Sequence, residues 1–163
     1  MDRLWSPWRL DYVTGANLKT GCIFCEAPRP PEPDSLIIFE GKTSYIILNL
    51  YPYNNGHLMV VPYRHVATLA GLSPEELDEV GRLTQHAEMA LTEAYEPHGM
   101  NIGINLGKSA GAGVEEHLHV HVVPRWSGDT NFMTVIGDMR VLPEALGASA
   151  ARLRPILARL TPE

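Results

Sequence analysis

One stretch of the sequence decides the fold prediction: His117-Leu118-His119-Val120-His121-Val122-Val123. Imidazole alternates with aliphatic residues here, and successive side chains of an extended strand point to opposite faces. We therefore expect three histidines on one face of a strand, about 6–7 Å apart, and an aliphatic face that packs into a core. Imidazole titrates near neutral pH, binds metals and can act as a nucleophile. The pattern thus predicts a strand that carries function.

The residues alone leave three interpretations of this histidine face. It can be an ordinary exposed polar surface, although three histidines in alternation disfavour that. It can be a metal site, because histidines bind zinc in catalytic zinc enzymes. It can also be a nucleophilic histidine flanked by two assisting histidines. Other parts of the chain must separate the last two interpretations.

The chain as a whole predicts one domain of 163 residues that functions in the cytoplasm. The formal net charge of −6 argues against broad nucleic-acid binding, although it allows a local site for a small anion. Apolar runs such as Leu58–Pro62 are too short to span a membrane. Near the N-terminus, Asp2 and Trp5 interrupt the basic-then-apolar layout of a signal peptide.

The order of the predicted elements favours the α+β class with an antiparallel sheet. Alternation and turn residues predict five strands, at residues 36–39, 44–49, 57–61, 101–106 and 117–123. The turn-rich residues 51–56 predict that the second and third strands pair antiparallel. Ser73, Pro74 and Glu76 form a helix start with a capping box, and helical periodicity continues to about Tyr95.

Two terminal segments flank a core at about residues 20–126 in the predicted single domain. Residues 1–20 are aromatic and mixed in charge, and we interpret them as an arm docked on the body or on a partner subunit. Residues 127–163 form a tail, in which residues 144–160 have a moderate helical pattern. Proline disrupts helix interiors, so we expect this helix to be interrupted near Pro155.

Several polar and metal-binding residue types accompany the histidines. Cys22 and Cys25 have the C-x-x-C spacing of a zinc or a redox site, and His65 with one strand histidine would complete a Cys₂His₂ set. Ile47 and Met59 can form an apolar slot for a nucleobase, or they can be simple core residues. Asn49 on the face of Ile47, and His57 on the face of Met59, would supply the slot with polar groups.

The glycine loop at residues 107–113 is not a P-loop. A P-loop needs a glycine at the position of Ile102, and it opens a helix, whereas this loop leads into a strand. Its backbone N–H groups can still cradle a phosphate, and an ordinary hairpin loop is the other interpretation.

These residues resemble the histidine triad family of nucleotide-binding proteins. The run at residues 117–123 matches the family motif His-φ-His-φ-His-φ-φ, where φ is an apolar residue. The resemblance extends to Asn49, Gly56-His57, Pro62 and the glycine loop, and it covers about residues 20–126. Residues 3–9, 49–54 and 117–126 look like the bacterial branch that contains diadenosine tetraphosphate phosphorylases.

The resemblance implies a fold and a catalytic mechanism. The fold would be a HIT-like antiparallel sheet of about five strands, with one long helix and a C-terminal helical tail. His119 would attack the α-phosphorus of an adenine nucleotide and form a nucleotidyl-histidine intermediate. The residues implied to assist are His121 and His57 at the phosphate, Asn49 at the ribose, and Asn105 and Gly113 at the phosphate or leaving group.

The resemblance also implies a metal and partners. Cys22, Cys25, His65 and His117 would hold a structural zinc, and no organic cofactor is expected. The ligands would be AMP, ATP or a dinucleoside polyphosphate, with inorganic phosphate as the acceptor in phosphorolysis. Family members pair across a two-fold axis, so a homodimer is expected, and the N-terminal arm can extend it to a tetramer.

Phosphorolysis of diadenosine tetraphosphate to ADP and ATP is the leading expectation, and three alternatives stay open. Many relatives carry a hydroxyl or an amide just before the histidine motif, whereas Ala112 and Gly113 offer only backbone N–H groups here. Hydrolysis of the same substrate or of an AMP phosphoramidate is therefore the second enzymatic expectation. A non-catalytic nucleotide-binding protein and a zinc enzyme with metal on all three strand histidines complete the set.

Overall fold

The computed structural model describes residues 21–28, 35–129 and 144–161. They form a five-stranded antiparallel sheet with the strand order β1-β2-β3-β5-β4. The strands are β1 (Ile37–Glu40), β2 (Ser44–Leu48), β3 (Leu58–Pro62), β4 (Gly99–Ile104) and β5 (Val120–Arg125). The α+β architecture and the antiparallel pairing of the second and third strands are confirmed. The arm at residues 1–20 lies outside the described residues.

In the described residues, three α-helices accompany the sheet: α1 (Ile23–Glu26), α2 (Pro74–Tyr95) and α3 (Leu146–Leu160). The predicted start of the long helix is confirmed, because the Ser73 side chain accepts from the Glu76 N–H and the Glu76 carboxylate accepts from the Ser73 N–H. Both bonds satisfy N–H groups that a helix start leaves without an intrahelical partner. No described helix combines the length and the apolarity that crossing a bilayer requires.

The two faces of the sheet differ in what covers them. Alternate strand residues point toward α2 and α3. The main core contains residues of the strands and of both helices: Ile46, Leu48, Leu58, Val60, Val120, Val122, Val80, Leu83, Ala87, Ala90, Leu91, Ala150, Leu153 and Leu157. The opposite face carries a smaller apolar cluster that includes Phe24, Ile47 and Met59. His121 lies on this second face, because it pairs directly with Met59 across β3 and β5.

The histidine strand begins later than its alternation predicts. Regular β5 starts at Val120, and the preceding backbone bonds to another segment, with the Leu118 N–H donating to the Val66 carbonyl at 2.6 Å. His117 and His119 therefore precede the strand. The strand also continues through Pro124 to Arg125, because β3 pairs only as far as Val122 and the missing N–H of Pro124 interrupts no bond to β3.

The other strands also differ from their predicted bounds, by one or two residues, and one helix prediction is wrong. β3 begins one residue after His57, and β4 runs over Gly99–Ile104 because these residues pair with β5 from Arg125 back to Val120. The predicted interruption at Pro155 is wrong, since α3 is continuous. Pro155 is solvent-exposed, while Leu153 and Leu157 on the same helix are buried in the core and hold the helix against the sheet.

A tight turn places His57 directly before β3. Gly56 has a φ of 72°, and a Cβ atom added there would lie 2.9 Å from the Leu91 side chain. Only glycine fits both conditions without strain. The turn closes with the His57 N–H donating to the Asn54 carbonyl at 3.2 Å, and His57 itself is fully buried.

Candidate active site and metal cluster

Across the second face of the sheet, four positions form a row from one strand to the next. Ile47 on β2 pairs with Met59 on β3, which pairs with His121 on β5, which pairs with Gly103 on β4. The first two are the residues that the sequence predicts to form an apolar slot, and they lie on one side of His121. Both side chains are nearly buried within the smaller apolar cluster.

His57 and His121 are joined by a hydrogen bond whose direction the surroundings determine. The Tyr53 backbone N–H donates to Nδ1 of His57 at 3.0 Å, so the ring proton of neutral His57 is on Nε2. Nε2 lies 2.9 Å from Nδ1 of His121 and donates to it. Neutral His121 therefore carries its own proton on Nε2, the nitrogen suited to donating to a phosphoryl oxygen.

Asn49 lies beside this pair in the turn between β2 and β3. Its Oδ1 accepts from the Tyr51 N–H at 2.9 Å, and its Nδ2 lies 3.4 Å from Nδ1 of His57. The structure thus brings Asn49, His57 and His121 together. The bond from the Tyr51 N–H to Oδ1 holds the Asn49 side chain within its own turn, and the strand pattern of the sequence did not predict this contact.

His119 is buried, and its tautomer follows from one contact. Its Nδ1 lies 2.8 Å from the carbonyl oxygen of His117, and a carbonyl can only accept, so Nδ1 carries the proton. Nε2 of neutral His119 is then an unprotonated lone pair. Burial lowers the pKa of His119, which favours this neutral form. The Phe24 ring packs against the imidazole with centroids 4.9 Å apart.

A cluster of two cysteine and two histidine side chains, here called the Cys–His cluster, lies at the other end of the histidine run. The ligand atoms of Cys22, Cys25, His65 and His117 all lie within 4.8 Å of one another. His117 donates from Nε2 to the Pro62 carbonyl at 2.9 Å, so its Nδ1 is a lone pair, 3.2 Å from the Cys22 sulfur. Burial lowers the pKa of His117, and metal binding requires that neutral form.

The donor set fits a tetrahedral metal ion. Ligand atoms at zinc bond lengths of about 2.0–2.3 Å are separated by roughly 3.5 Å in a tetrahedron. The Cys25 sulfur lies 3.3 Å from Nδ1 of His65 and 3.5 Å from Nδ1 of His117. These four residues could therefore hold a metal ion with little rearrangement. The redox interpretation of the cysteine pair has no such support from the surrounding residues.

A pocket opens on the side of His121 opposite the apolar slot. It has a volume of about 340 Å³ and is lined by residues that include Tyr53, Asn54, Asn101, Gly103, Asn105 and His121. We call it the β4 pocket. Asn105 and His121 were anticipated from the sequence, whereas Tyr53, Asn54, Asn101 and Gly103 were missed. The strand glycine at position 103 was the one available signal, because glycine inside a strand often marks close approach by a ligand.

One anticipated residue does not line the β4 pocket. Gly113 is exposed, and it is not among the residues that line the β4 pocket. A wider depression of about 460 Å³ lies instead between the end of α2 and α3. Glu93, Glu96 and Glu144 line it together with Arg152, and this excess of carboxylates disfavours an anionic nucleotide, so we do not assign the site there.

The fold and these contacts define a class of protein: an α+β protein with several histidines on and beside one face of an antiparallel sheet. The profile of the HIT domain matches residues 30–128. The chain therefore belongs to the histidine triad (HIT) family.

Curated relatives and solved structures agree with this assignment. The chain is 46% identical over 154 residues to an AP-4-A phosphorylase of Mycobacterium tuberculosis, covering 90% of this chain and 79% of the relative. It is 34% identical over 95 residues to the asymmetrical bis(5′-nucleosyl)-tetraphosphatase of Schizosaccharomyces pombe, covering 58% and 52%. A Zn-bound histidine triad family protein from Mycobacterium smegmatis has a TM-score of 0.68 at 33% identity, covering 86% and 95%.

Proposed function

We propose that the protein is a nucleotidyltransferase that cleaves dinucleoside polyphosphates, with diadenosine tetraphosphate as the leading substrate. The bond from Nδ1 of His119 to the His117 carbonyl carries the proposal, because it leaves Nε2 unprotonated and nucleophilic. The 46% identity to a relative named AP-4-A phosphorylase supports this substrate.

In the first step, Nε2 of His119 attacks the α-phosphorus. A P–N bond forms, the P–O bond to the bridging oxygen breaks, and its electron pair leaves with ATP. His121 and His57 assist: the Nε2–H of His121 donates to a phosphoryl oxygen where negative charge develops, and His57 holds that tautomer. Ile47 and Met59 hold the adenine, and Asn49 holds the ribose.

In the second step, an acceptor attacks the nucleotidyl-histidine. Inorganic phosphate would yield ADP and regenerate neutral His119, whereas water would yield AMP. Asn105 and the backbone around Gly113 are proposed to hold the acceptor or the leaving group. Phosphorolysis is favoured by the relative named a phosphorylase. Hydrolysis of the same substrate is the second candidate, favoured by the relative named a tetraphosphatase, and hydrolysis of an AMP phosphoramidate is its alternative.

We propose further that the Cys–His cluster holds a structural zinc ion through Cys22, Cys25, His65 and His117. Four protein ligands leave no coordination position for a substrate, so the ion would stabilise the fold and take no part in the reaction. The Zn-bound relative from M. smegmatis supports the choice of metal. Cysteines that bind zinc must stay reduced, which favours function in the cytoplasm.

A homodimer is the proposed assembly. β4 is an edge strand of the sheet, and most of its residues are exposed, including Ile102. An exposed edge strand offers unpaired N–H and C=O groups to a second strand. Sedimentation equilibrium measures the mass, and a monomer would contradict the proposal.

The decisive experiment incubates the protein with diadenosine tetraphosphate, with and without inorganic phosphate, and separates the products. ADP plus ATP formed only with phosphate would establish phosphorolysis, whereas AMP plus ATP in both reactions would establish hydrolysis. Mass spectrometry of rapidly quenched protein should find AMP attached to the peptide that contains His119. Tight AMP binding without any turnover would contradict the enzymatic proposal and favour a nucleotide-binding protein.

A further inference from the structure

The bond between His57 and His121 joins two segments that the strand ladder does not hold together at this point. His121 lies within β5 and pairs with Met59 of β3. His57 precedes β3, and the ladder between these two strands ends at the pair of Leu58 and Val122. Contacts of the turn before His57 must therefore fix its ring relative to His121.

The Asn54 side chain ties this turn to the end of β5. Its Nδ2 donates to the Pro124 carbonyl at 3.1 Å and to Oδ2 of Asp129 at 2.8 Å. An amide nitrogen carries two hydrogens, so these two bonds use both of them. The backbone carbonyl of Asn54 accepts from the His57 N–H at 3.2 Å. One residue thus bonds both His57 and the strand that carries His121.

Asp129 is a firmly held acceptor for the Asn54 amide. Its carboxylate also accepts two bonds from the guanidinium of Arg125, at 2.5 and 2.8 Å, and one from the Trp126 N–H at 3.2 Å. The Asp129 side chain is only 11% exposed, and two parallel bonds from a guanidinium fix the orientation of a carboxylate. Because Arg125 is the last residue of β5, the carboxylate is fixed to that strand.

Another part of the same turn packs on α2. Gly56 has no side chain, and a Cβ atom added there would lie 3.0 Å from the Tyr95 ring. The Tyr95 hydroxyl donates to Glu144 at 2.5 Å, which holds the ring in place. The turn is therefore held by α2 through Gly56 and by the end of β5 through Asn54.

The position of His57 decides which nitrogen of His121 can act on a phosphate. The 2.9 Å bond from Nε2 of His57 occupies Nδ1 of His121 and keeps the His121 proton on Nε2. Hydrogen bonds weaken steeply when the donor and the acceptor move out of line. If the turn shifts away from β5, neutral His121 is free to carry its proton on Nδ1, and Nε2 then has no hydrogen to donate to a phosphoryl oxygen.

We propose that Asn54 is a positioning residue: its amide fixes the turn that carries His57 to the end of β5, and it thereby holds His121 in the form that donates to the phosphate. The catalytic effect of Asn54 rests on the proposed function, to which it adds a residue outside the histidine motif. Asn54 also borders the β4 pocket, so direct contact with the substrate is the rival role that the experiments distinguish.

The first experiment measures single-turnover adenylylation of His119 by diadenosine tetraphosphate in Asn54→Ala. The rate at saturating substrate should fall by about 10- to 30-fold, which is part of the roughly 10²- to 10³-fold effect of losing a phosphate donor outright. The substrate concentration that gives half of this rate should stay within about twofold, because both amide hydrogens bond the protein and none is left for the substrate.

Asn55→Ala is the matched control. Asn55 is the next residue of the same turn and is half-buried like Asn54, but its side chain bonds no residue that the structure describes. This variant should adenylylate at the wild-type rate. If Asn54→Ala does not fold, Asp129→Asn replaces it: loss of the charge at the acceptor should lower the same rate by about three- to fivefold.

A double-mutant cycle identifies the route by which Asn54 acts. In the His121→Asn background the phosphate donor is already absent, so Asn54→Ala should change the adenylylation rate by less than about twofold. A residue that contacts the substrate itself would instead cause the same loss in both backgrounds.

A second measurement needs no activity. In protein with ¹⁵N-labelled histidine, the Nε2–H of His57 should give a low-field proton resonance that exchanges slowly, because it is bonded to His121. This resonance should persist in Asn55→Ala and disappear in Asn54→Ala.

Three results would overturn the inference alone: a wild-type rate in Asn54→Ala, an equal loss of rate in the His121→Asn background, or an unchanged His57 resonance in Asn54→Ala. Failure of the proposed function has a different signature, because wild-type protein would then form no adenylylated His119. The catalytic effect of Asn54 would fall with it, while the resonance would still test the tie between the turn and β5.

Discussion

The two ends of the histidine run carry the same side chain in opposite surroundings. His117 is almost fully buried, donates from Nε2 to the Pro62 carbonyl and directs Nδ1 at two cysteine sulfurs. His121 is half-buried, accepts from His57 through Nδ1 and borders an open pocket. One end of the run therefore belongs to a set of donors that could bind a metal, and the other end faces a pocket.

This difference shows that the partner of one ring nitrogen decides what the other nitrogen can do. A carbonyl oxygen at Nε2 of His117 leaves a lone pair on Nδ1 that could bind a metal, and a carbonyl oxygen at Nδ1 of His119 leaves a lone pair on Nε2 that suits nucleophilic attack. Residue type alone would assign all three histidines the same role.

Replacing His119, the residue between the two ends, should have the largest effect on activity. His119→Gly should lower kcat/KM by about 10⁴-fold or more, about 5.5 kcal/mol of transition-state free energy, because the proposed intermediate forms on this imidazole. Added imidazole should restore part of the activity by filling the vacated space. Activity above about 1% of wild type without imidazole would contradict the nucleophilic role.

Removing the two cysteines beside His117 should change the stability of the protein more than its catalytic activity. Cys22→Ser/Cys25→Ser should abolish zinc binding, measured by elemental mass spectrometry, and lower the free energy of unfolding by about 4 kcal/mol. That is the stabilisation from a ligand present at a thousand times its dissociation constant. Zinc retained in full by this variant would instead place the metal on the strand histidines and remove the contrast between the two ends.

Replacing His121, at the other end of the run, should change catalytic activity more than stability. His121→Asn keeps an acceptor for the Nε2–H of His57 but removes the donor at the phosphate. We expect kcat/KM to fall by about 10²- to 10³-fold, or about 3–4 kcal/mol, with zinc content and thermal midpoint unchanged. A loss of zinc in this variant would show that the two ends are not separable.

The smallest effect is expected for the ion pair between Arg64 and Glu76, which lies beside the Cys–His cluster. Arg64, next to His65, bonds both carboxylate oxygens of Glu76, and Glu76 also caps α2. Glu76→Gln should cost about 1 kcal/mol of unfolding free energy and leave kcat unchanged.

The pH dependence of stability follows from the same contact. The bond to Arg64, followed by the bond to the Ser73 N–H, lowers the pKa of Glu76 to about 2. A depressed folded-state pKa adds stability above the unfolded value near 4.5, and this stability is lost as the pH falls from there toward 2. Denaturant unfolding between these pH values should show a steeper loss in wild type than in Glu76→Gln. Equal slopes would contradict this account.

The elements that local patterns specify were predictable, and their ends were less so. The capping box at Ser73 and the helical period through Tyr95 depend on neighbours within a few residues, and the structure confirms both. The start of β5 depends on a bond from Leu118 to Val66, about fifty residues away in sequence, which no local pattern contains. The continuity of α3 at Pro155 likewise depends on packing against the sheet.

The sequence by itself determined the residue types of the site, because a face of histidines, a C-x-x-C pair and a turn before His57 are readable from spacing. Only the tertiary structure decided which nitrogen of each histidine carries a proton, since that depends on a carbonyl of Pro62, a backbone N–H of Tyr53 and a carbonyl of His117. It also decided the β4 pocket, which exists because strand pairing sets the bare backbone of Gly103 beside His121. Contacts between segments distant in the chain supply the free energy that selects these arrangements, and local sequence does not encode them.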